Sequence, residues 1–413
     1  MLTKSRFMSL VSMLSLAVFL AATLISCSGS NGGTSISSTS QAASSSSAAM
    51  GAIALSDTVG TAAGLADGAI PAGYAPGKRK AVNTADIAKL DPRLKDVVDK
   101  MVAQLRKPVI TDAVSKSQSL KTMNSAPLSA PAPTTSPCSA GGSYTVTDSA
   151  VVSGVTTTHD LSVSFSYCRD SLDFSELNGS ITATHVLDTL NNSETSNVHA
   201  NLTNIAYTDG TFTNLDGTFV LNGDFNSTNN NNASGTNFAN GSFSATSPPS
   251  GTNMTAVFSF TNVHDVWTKS LGMPSSGDRT EQHTFNGSYG LSITNNATTE
   301  QIAFTVTLAN LEYKDIVSLN GNEDEWLNGS VTISWSPDMS QWGCLNGTYS
   351  FTTAAGTPVQ TLFPNTCPSS GTVQVNNATI EYGKPSGTQV TITVNGFSEI
   401  FADCDSLGGG MCR

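Results

Sequence analysis

The chain has 413 residues, a formal net charge of −12 and only 12 % charged residues, so Ser, Thr, Asn and Gly supply most of its polarity. The acidity is concentrated from Cys138 onward, where 24 acidic residues stand against 6 basic ones, a net −18; a body so charged repels phosphate backbones, which argues against nucleic acid as a partner. The composition suits an exported β-protein better than a cytosolic enzyme, and the charge favours cationic or metal-bridged partners unless it serves solubility alone.

Residues 1–26 have the layout of a secretory signal. Lys4 and Arg6 form a short positive start, and Phe7 to Ile25 is apolar apart from Ser9, Ser12, Ser15 and Thr23. The run ends in Leu24-Ile25-Ser26-Cys27, which resembles the lipobox of bacterial lipoproteins. The resemblance implies that Cys27 becomes the mature N-terminus and carries palmitate and other acyl chains. Ser28 in the next position implies, by analogy with enteric bacteria, sorting to the outer membrane. The first partner is then the membrane itself, since several acyl chains give stable anchoring where one is marginal.

Residues 27–83 read as a flexible tether, because 28–50 are almost entirely Ser, Gly, Ala, Thr and Asn. An amphipathic helix is expected over 84–108. Leu90, Leu94, Val97, Val98, Met101, Val102 and Leu105 make one stripe at helical period, Asp91 and Pro92 suit its start, and Pro108 stops it. Residues 109–137 return to Pro/Ser/Ala linker chemistry.

From Cys138 to Arg413 the apolar period becomes two, as in Leu161, Val163, Phe165 and Tyr167, or Ile302, Phe304, Val306 and Leu308. The expected fold class is therefore all-β: a large antiparallel meander curled into a barrel-like or sandwich body, with a subdivision near 246–252 as an option. An Asn/Asp-Gly motif recurs at Asn178-Gly179, Asp216-Gly217, Asn240-Gly241, Asn286-Gly287, Asn328-Gly329 and Asn346-Gly347. Asn-Gly is a hairpin signal. Yet Phe285, Gly287, Tyr289 and Leu291 share one face of a continuous strand, as do Leu327, Gly329, Val331 and Ile333. The motif is thus expected inside strands, where an inward glycine lets the sheet bend. Asn346-Gly347 is the exception and reads as a hairpin.

Setting Cys27 aside leaves six cysteines, an even number that suggests disulfides in an exported chain. Local pairing predicts Cys138–Cys168, Cys344–Cys367 and Cys404–Cys412. No histidine stands in a catalytic or zinc motif. Neighbours such as His264 and Asp265 should point to opposite faces of a strand. Asn320, Asn322 and Asp324 have the alternate oxygen spacing of a calcium loop, although the glycine and distant glutamate of an EF-hand are missing. Trp267, Trp326, Trp335 and Trp342 are candidates for a carbohydrate platform, with Trp335 looking more like core. The functional expectation is a lipid-anchored envelope or surface protein whose β domain is structural or binds an envelope protein or polysaccharide without catalysis. The alternatives are a polysaccharide hydrolase using paired carboxylates and a transmembrane β-barrel.

Overall fold

The computed structural model describes residues 34–62, 133–169, 176–188, 190, 193–205, 214–229, 232–246, 254–270, 278–340, 343–407 and 411. Cys27, the signal segment and the helix expected over 84–108 lie outside them.

A short strand, β1 (Thr134–Pro137), precedes ten long ones: β2 (Ser143–Ser153), β3 (Thr156–Cys168), β4 (Glu176–Asp188), β5 (Ser193–Ile205), β6 (Asn214–Asn229), β7 (Asn232–Thr246), β8 (Met254–Ser270), β9 (Arg279–Asn295), β10 (Gln301–Val317) and β11 (Glu323–Ser336). Shorter ones follow: β12 (Gly347–Thr353), β13 (Val359–Thr361), β14 (Gly371–Val375), β15 (Ala378–Tyr382), β16 (Val390–Val394) and β17 (Phe397–Phe401). They join in one antiparallel sheet, each strand from β1 to β12 beside the next, then β12 beside β14 and on in sequence to β17. β13 pairs with the lower part of β11. Thr246 of β7 pairs with Thr255 of β8, so one sheet runs through the region where a subdivision was an option. Among the described residues β1 and β17 are unpaired with each other, and the sheet stays open. The body is the expected antiparallel meander, coiled in a sandwich-like way.

The inner face is apolar, with Phe258, Phe260, Tyr289, Leu291, Phe304, Val306, Leu308, Val331, Ile333, Tyr349 and Phe351 buried on it. The outer face of the same strands carries Thr, Ser, Gln and Asn. A membrane barrel needs the reverse arrangement.

A helix, α1 (Thr39–Ala62), lies in the core. It touches β7 and β8 on one arm of the sheet and β14, β15 and β16 on the other. Within the tether expected over 27–83, residues 39–62 are helical instead, and 42–49 and 51–55 are buried on every side. The physical reason is size. A helix that must be approached by sheet all round has no use for an amphipathic stripe, and Ala, Ser and Gly let neighbouring backbone come close. Ser45 turns its hydroxyl back to the Ala42 carbonyl at 2.8 Å, so its polarity is met locally. The start is capped: Gln41 N donates to Ser38 Oγ at 3.1 Å, and Gln41 Oε1 accepts Ser37 N at 2.8 Å.

Cys138 and Cys168 are joined as expected. Cys367 pairs with Cys404, which overturns both Cys344–Cys367 and Cys404–Cys412. Sequence proximity favoured the local pairs, but the sheet's turns set cysteine separation in space, and Cys367 and Cys404 have Cα atoms 5.5 Å apart.

Five of the Asn/Asp-Gly copies fall inside β4, β6, β7, β9 and β11, and the sixth glycine, Gly347, opens β12 instead of forming a hairpin. Gly287 of β9 and Gly329 of β11 each face a bulge in the preceding strand. The register of β8 slips between Thr261 and His264, and that of β10 between Ala309 and Glu312. The bulge residues Asn262 and Asn310 take φ values of 47° and 46°. At Gly287 and Gly329 an added Cβ would stand 2.3 Å and 2.0 Å from the Asn262 and Asn310 carbonyl oxygens, so only glycine admits the bulge.

Candidate functional site

Strands β8 to β11 extend past this line of bulges, and beyond it their two faces carry different chemistry. On the inner face the apolar core gives way to ionisable groups. Lys269, Glu281, Asp315 and Glu325 are successive cross-strand neighbours in one row, and Trp267, His283, Tyr313 and Leu327 form the next row. Asp265, Lys269, Glu281, His283 and Asp315 are all buried.

His283 ties this cluster together. Its Nδ1 lies 2.9 Å from Asp265 Oδ1 and its Nε2 lies 3.3 Å from Glu281 Oε1. The ring is thus held between two carboxyl groups, one at each nitrogen. Arg279 reaches Glu281 at 3.6 Å, and Tyr313 donates its hydroxyl to Glu325 at 2.6 Å. Burial, then the Glu325 and Asp315 charges, hold the Tyr313 hydroxyl well above the usual tyrosine range. Burial, then the neighbouring Glu325 and Glu323, push Asp315 up to about 7 against a partial counter-effect from Arg279. Its Oδ1 has no hydrogen-bond partner. This row is a buried ionic network, closed to substrate from the outer face.

On the outer face of the same strands lies a hollow of about 230 Å³, lined among the described residues by Gln282, Glu312, Lys314, Trp326, Asn328 and the Thr353–Ala355 segment. Register builds it: Gln282, Lys314 and Trp326 are cross-strand neighbours, as are Glu312 and Asn328. The Trp326 indole is held in place by its Nε1–H to the Ala355 carbonyl at 3.4 Å and by the Lys314 ammonium 4.8 Å from the ring centroid. Asn328 Oδ1 accepts Thr353 N at 3.0 Å, which turns its amide NH₂ toward other partners. An indole wall, two side-chain amides, one carboxylate and one ammonium can meet hydroxyls that both donate and accept, with an apolar ring beside them.

The neighbouring β10–β11 turn holds the calcium candidates. Asn320 Oδ1 accepts Asn322 N at 3.0 Å, Asn322 Oδ1 accepts Phe363 N at 3.1 Å, and Asp324 Oδ1 accepts Gln360 Nε2 at 2.9 Å. Each of the three candidate oxygens thus accepts a hydrogen bond from the turn or its neighbour loop. Among the described residues no group of three or more His, Cys, Asp or Glu side chains is placed to hold a metal ion. Leu319 and Phe363, each 70 % exposed, cap this same end of the body.

Of the four tryptophans, Trp267 is buried on the inner face, Trp335 packs on Phe304 and Trp342 lies outside the described residues, leaving Trp326 in the hollow. His264 and Asp265 take opposite faces as expected. No sequence motif marks His283, but its parity with Phe285, Tyr289 and Leu291 was the available signal that it points inward. Compared with protein-family models, curated proteins and solved structures, the chain matches none.

Proposed function

We propose that this chain is a lipid-anchored envelope protein whose β body binds a neutral polysaccharide, without catalysis, in the outer-face hollow around Trp326. The observation that carries the reading is the pairing of an indole wall with the amides of Gln282 and Asn328 on exposed strands. Glu312 and Lys314 cancel within the hollow, while the net −18 from Cys138 onward disfavours an anionic polymer. At about 230 Å³ the hollow is smaller than the ~300–1,000 Å³ typical of small-molecule pockets, which suits one sugar unit of a longer chain. Export is supported by the Cys138–Cys168 and Cys367–Cys404 disulfides, since such bonds persist in oxidising compartments.

Hydrolysis is the competing reading. It needs two carboxylates flanking the scissile bond. Glu312 is the one carboxylate among the described residues of the hollow, and the acids that do meet one another face the buried interior.

Affinity electrophoresis in gels containing neutral polysaccharides tests the reading. Retarded migration that Trp326→Ala removes, with no reducing ends released, is the expected result. Release of reducing ends that stops on replacing Glu312 overturns it in favour of an enzyme. The anchor is checked by palmitate labelling, which Cys27→Ser should abolish.

A further inference from the structure

The point where the N-terminal segment enters the body decides which end can face a membrane. Thr34 N donates to the Thr348 carbonyl at 2.9 Å, Thr348 N donates to Thr34 Oγ1 at 2.8 Å, and Asn376 Nδ2 donates to the Thr34 carbonyl at 2.5 Å. Asn377 clamps Ile36, accepting its N–H at 2.8 Å and donating to its carbonyl at 2.9 Å. The same Asn377 amide donates to Asn395 Oδ1 at 3.1 Å in the β16–β17 turn. Two residues later stands Phe397, 80 % exposed and the first residue of the edge strand β17. Entry point and exposed ring share one end of the body.

Reach then separates the two ends. Six residues, 28–33, lie between Cys27 and Thr34. Even fully extended, the seven steps from Cys27 to Thr34 span at most about 25 Å. Thr348 pairs with Thr332 of β11, and from Thr332 to Glu323 the strand runs about 30 Å, with the Asn320–Asn322 turn beyond that. A lipid on Cys27 lets the Phe397 end rest on the bilayer, whereas its reach is too short for the body to stand on its Leu319–Phe363 end with Thr34 uppermost.

We propose that the Phe397 end of the body is seated on the lipid surface, with the Phe397 ring in the headgroup region and the Trp326 hollow turned away from the membrane. The inference rests on the anchoring of Cys27. A phenyl ring is suited to the role because it gains from leaving water and adds no charge to a body that anionic headgroups repel. The helix Thr39–Ala62 begins only twelve residues after Cys27, so the body is held close.

The test places a fluorescent reporter at each end of the full-length, lipidated protein: Phe397→Trp and Phe363→Trp, both at highly exposed positions. Each is reconstituted in phosphatidylcholine vesicles with and without brominated acyl chains, and the emission of the unsubstituted protein is subtracted. The tryptophan at 397 is expected to shift blue and lose most of its emission to the brominated lipid, while that at 363 keeps its emission. Quenching at 363, or at neither position, with palmitate labelling of Cys27 intact overturns the seating and leaves the anchor standing. Loss of palmitate labelling in the unsubstituted protein overturns the anchor, and the seating with it.

Discussion

Asn286 reaches across from β9 to β10, where its Oδ1 accepts the backbone N–H of Asn310 at 2.8 Å. Asn310 is the residue that bulges out of the β10 ladder, and the asparagine side chain replaces the lost ladder partner. The arrangement repeats: Asn178 accepts Tyr167 N at 2.8 Å, and Asn240 accepts Asn262 N at 2.6 Å. Asn286-Gly287 therefore has two jobs. The asparagine satisfies the Asn310 bulge of β10, and the glycine leaves room for the Asn262 bulge of β8. A line of such pairs bends the sheet around α1 and marks where the inner face changes from apolar to ionic.

Gly329→Ala should be severely destabilising. Its φ of +100° is strained for any L side chain, and the Cβ would fall 2.0 Å from the Asn310 carbonyl oxygen. A cost on the order of 3–5 kcal/mol is expected, as backbone strain and a steric clash add. Gly356→Ala, where nothing lies within 4 Å of the new Cβ, is the control and should change stability little. Urea midpoints of the two variants check this; equal midpoints would remove the bulge explanation.

The meander, and the placement of Asn286-Gly287 and Asn328-Gly329 within strands, were legible because parity is carried by few residues and is hard to mimic. The ionic row was not. In β8 the inward residues are Phe258 and Phe260 before the bulge and Val263, Asp265, Trp267 and Lys269 after it; in β10 they are Phe304, Val306 and Leu308, then Leu311, Tyr313 and Asp315. A bulge shifts the parity by one, so a reader continuing the pattern places Asp265 and Asp315 in solvent. The helix α1 escaped for a different reason. Ala- and Ser-rich sequence is ambiguous between a flexible linker and a helix packed closely on all sides, and only the surrounding sheet resolves it.

Deleting residues 34–62 separates those two possibilities in solution. A tether is dispensable, whereas removal of α1 empties the space between the β7–β8 and β14–β16 arms and exposes Phe258, Ile380 and Ile392. Loss of a cooperative urea transition is expected. A sharp transition at the original midpoint would mean that the β body does not need the helix.

Cys344 is disulfide-bonded, and Cys367 and Cys404 are committed to each other, as are Cys138 and Cys168. Leu345 N donates to the Met411 carbonyl at 2.6 Å, which brings the chain next to Cys412 against Cys344. Cys412 itself lies outside the described residues. Non-reducing peptide mapping should therefore link Cys344 to Cys412, closing a loop worth about 4 kcal/mol in the chain-entropy account. A peptide joining Cys344 to Cys27 instead would defeat both this pairing and the lipid anchor.

Asp315 sets a pH dependence whose sign is fixed by its surroundings. It is 7 % exposed, with Glu281 and Arg279 facing it from β9 and Glu325 and Glu323 from β11. Burial, followed by the Glu325 and Glu323 charges, raises its folded pKa to about 7 from an ordinary value of 3.8. The folded state thus holds the proton more tightly than the unfolded state. Below about pH 4 both states are protonated and Asp315 costs nothing. As pH rises from about 4 to 7 the unfolded state ionises first, and stability falls; above 7 the deficit is constant, on the order of 2–4 kcal/mol. Asp315→Asn removes the ionisation, and its NH₂ gives Glu281 or Glu325 a donor. The variant should match the unsubstituted protein near pH 4 and exceed it at pH 8 by most of that deficit, read as a difference in urea midpoints. A difference that is flat with pH, or larger at pH 4 than at pH 8, would mean that Asp315 is already ionised in the fold and that the buried row is held by its cations instead.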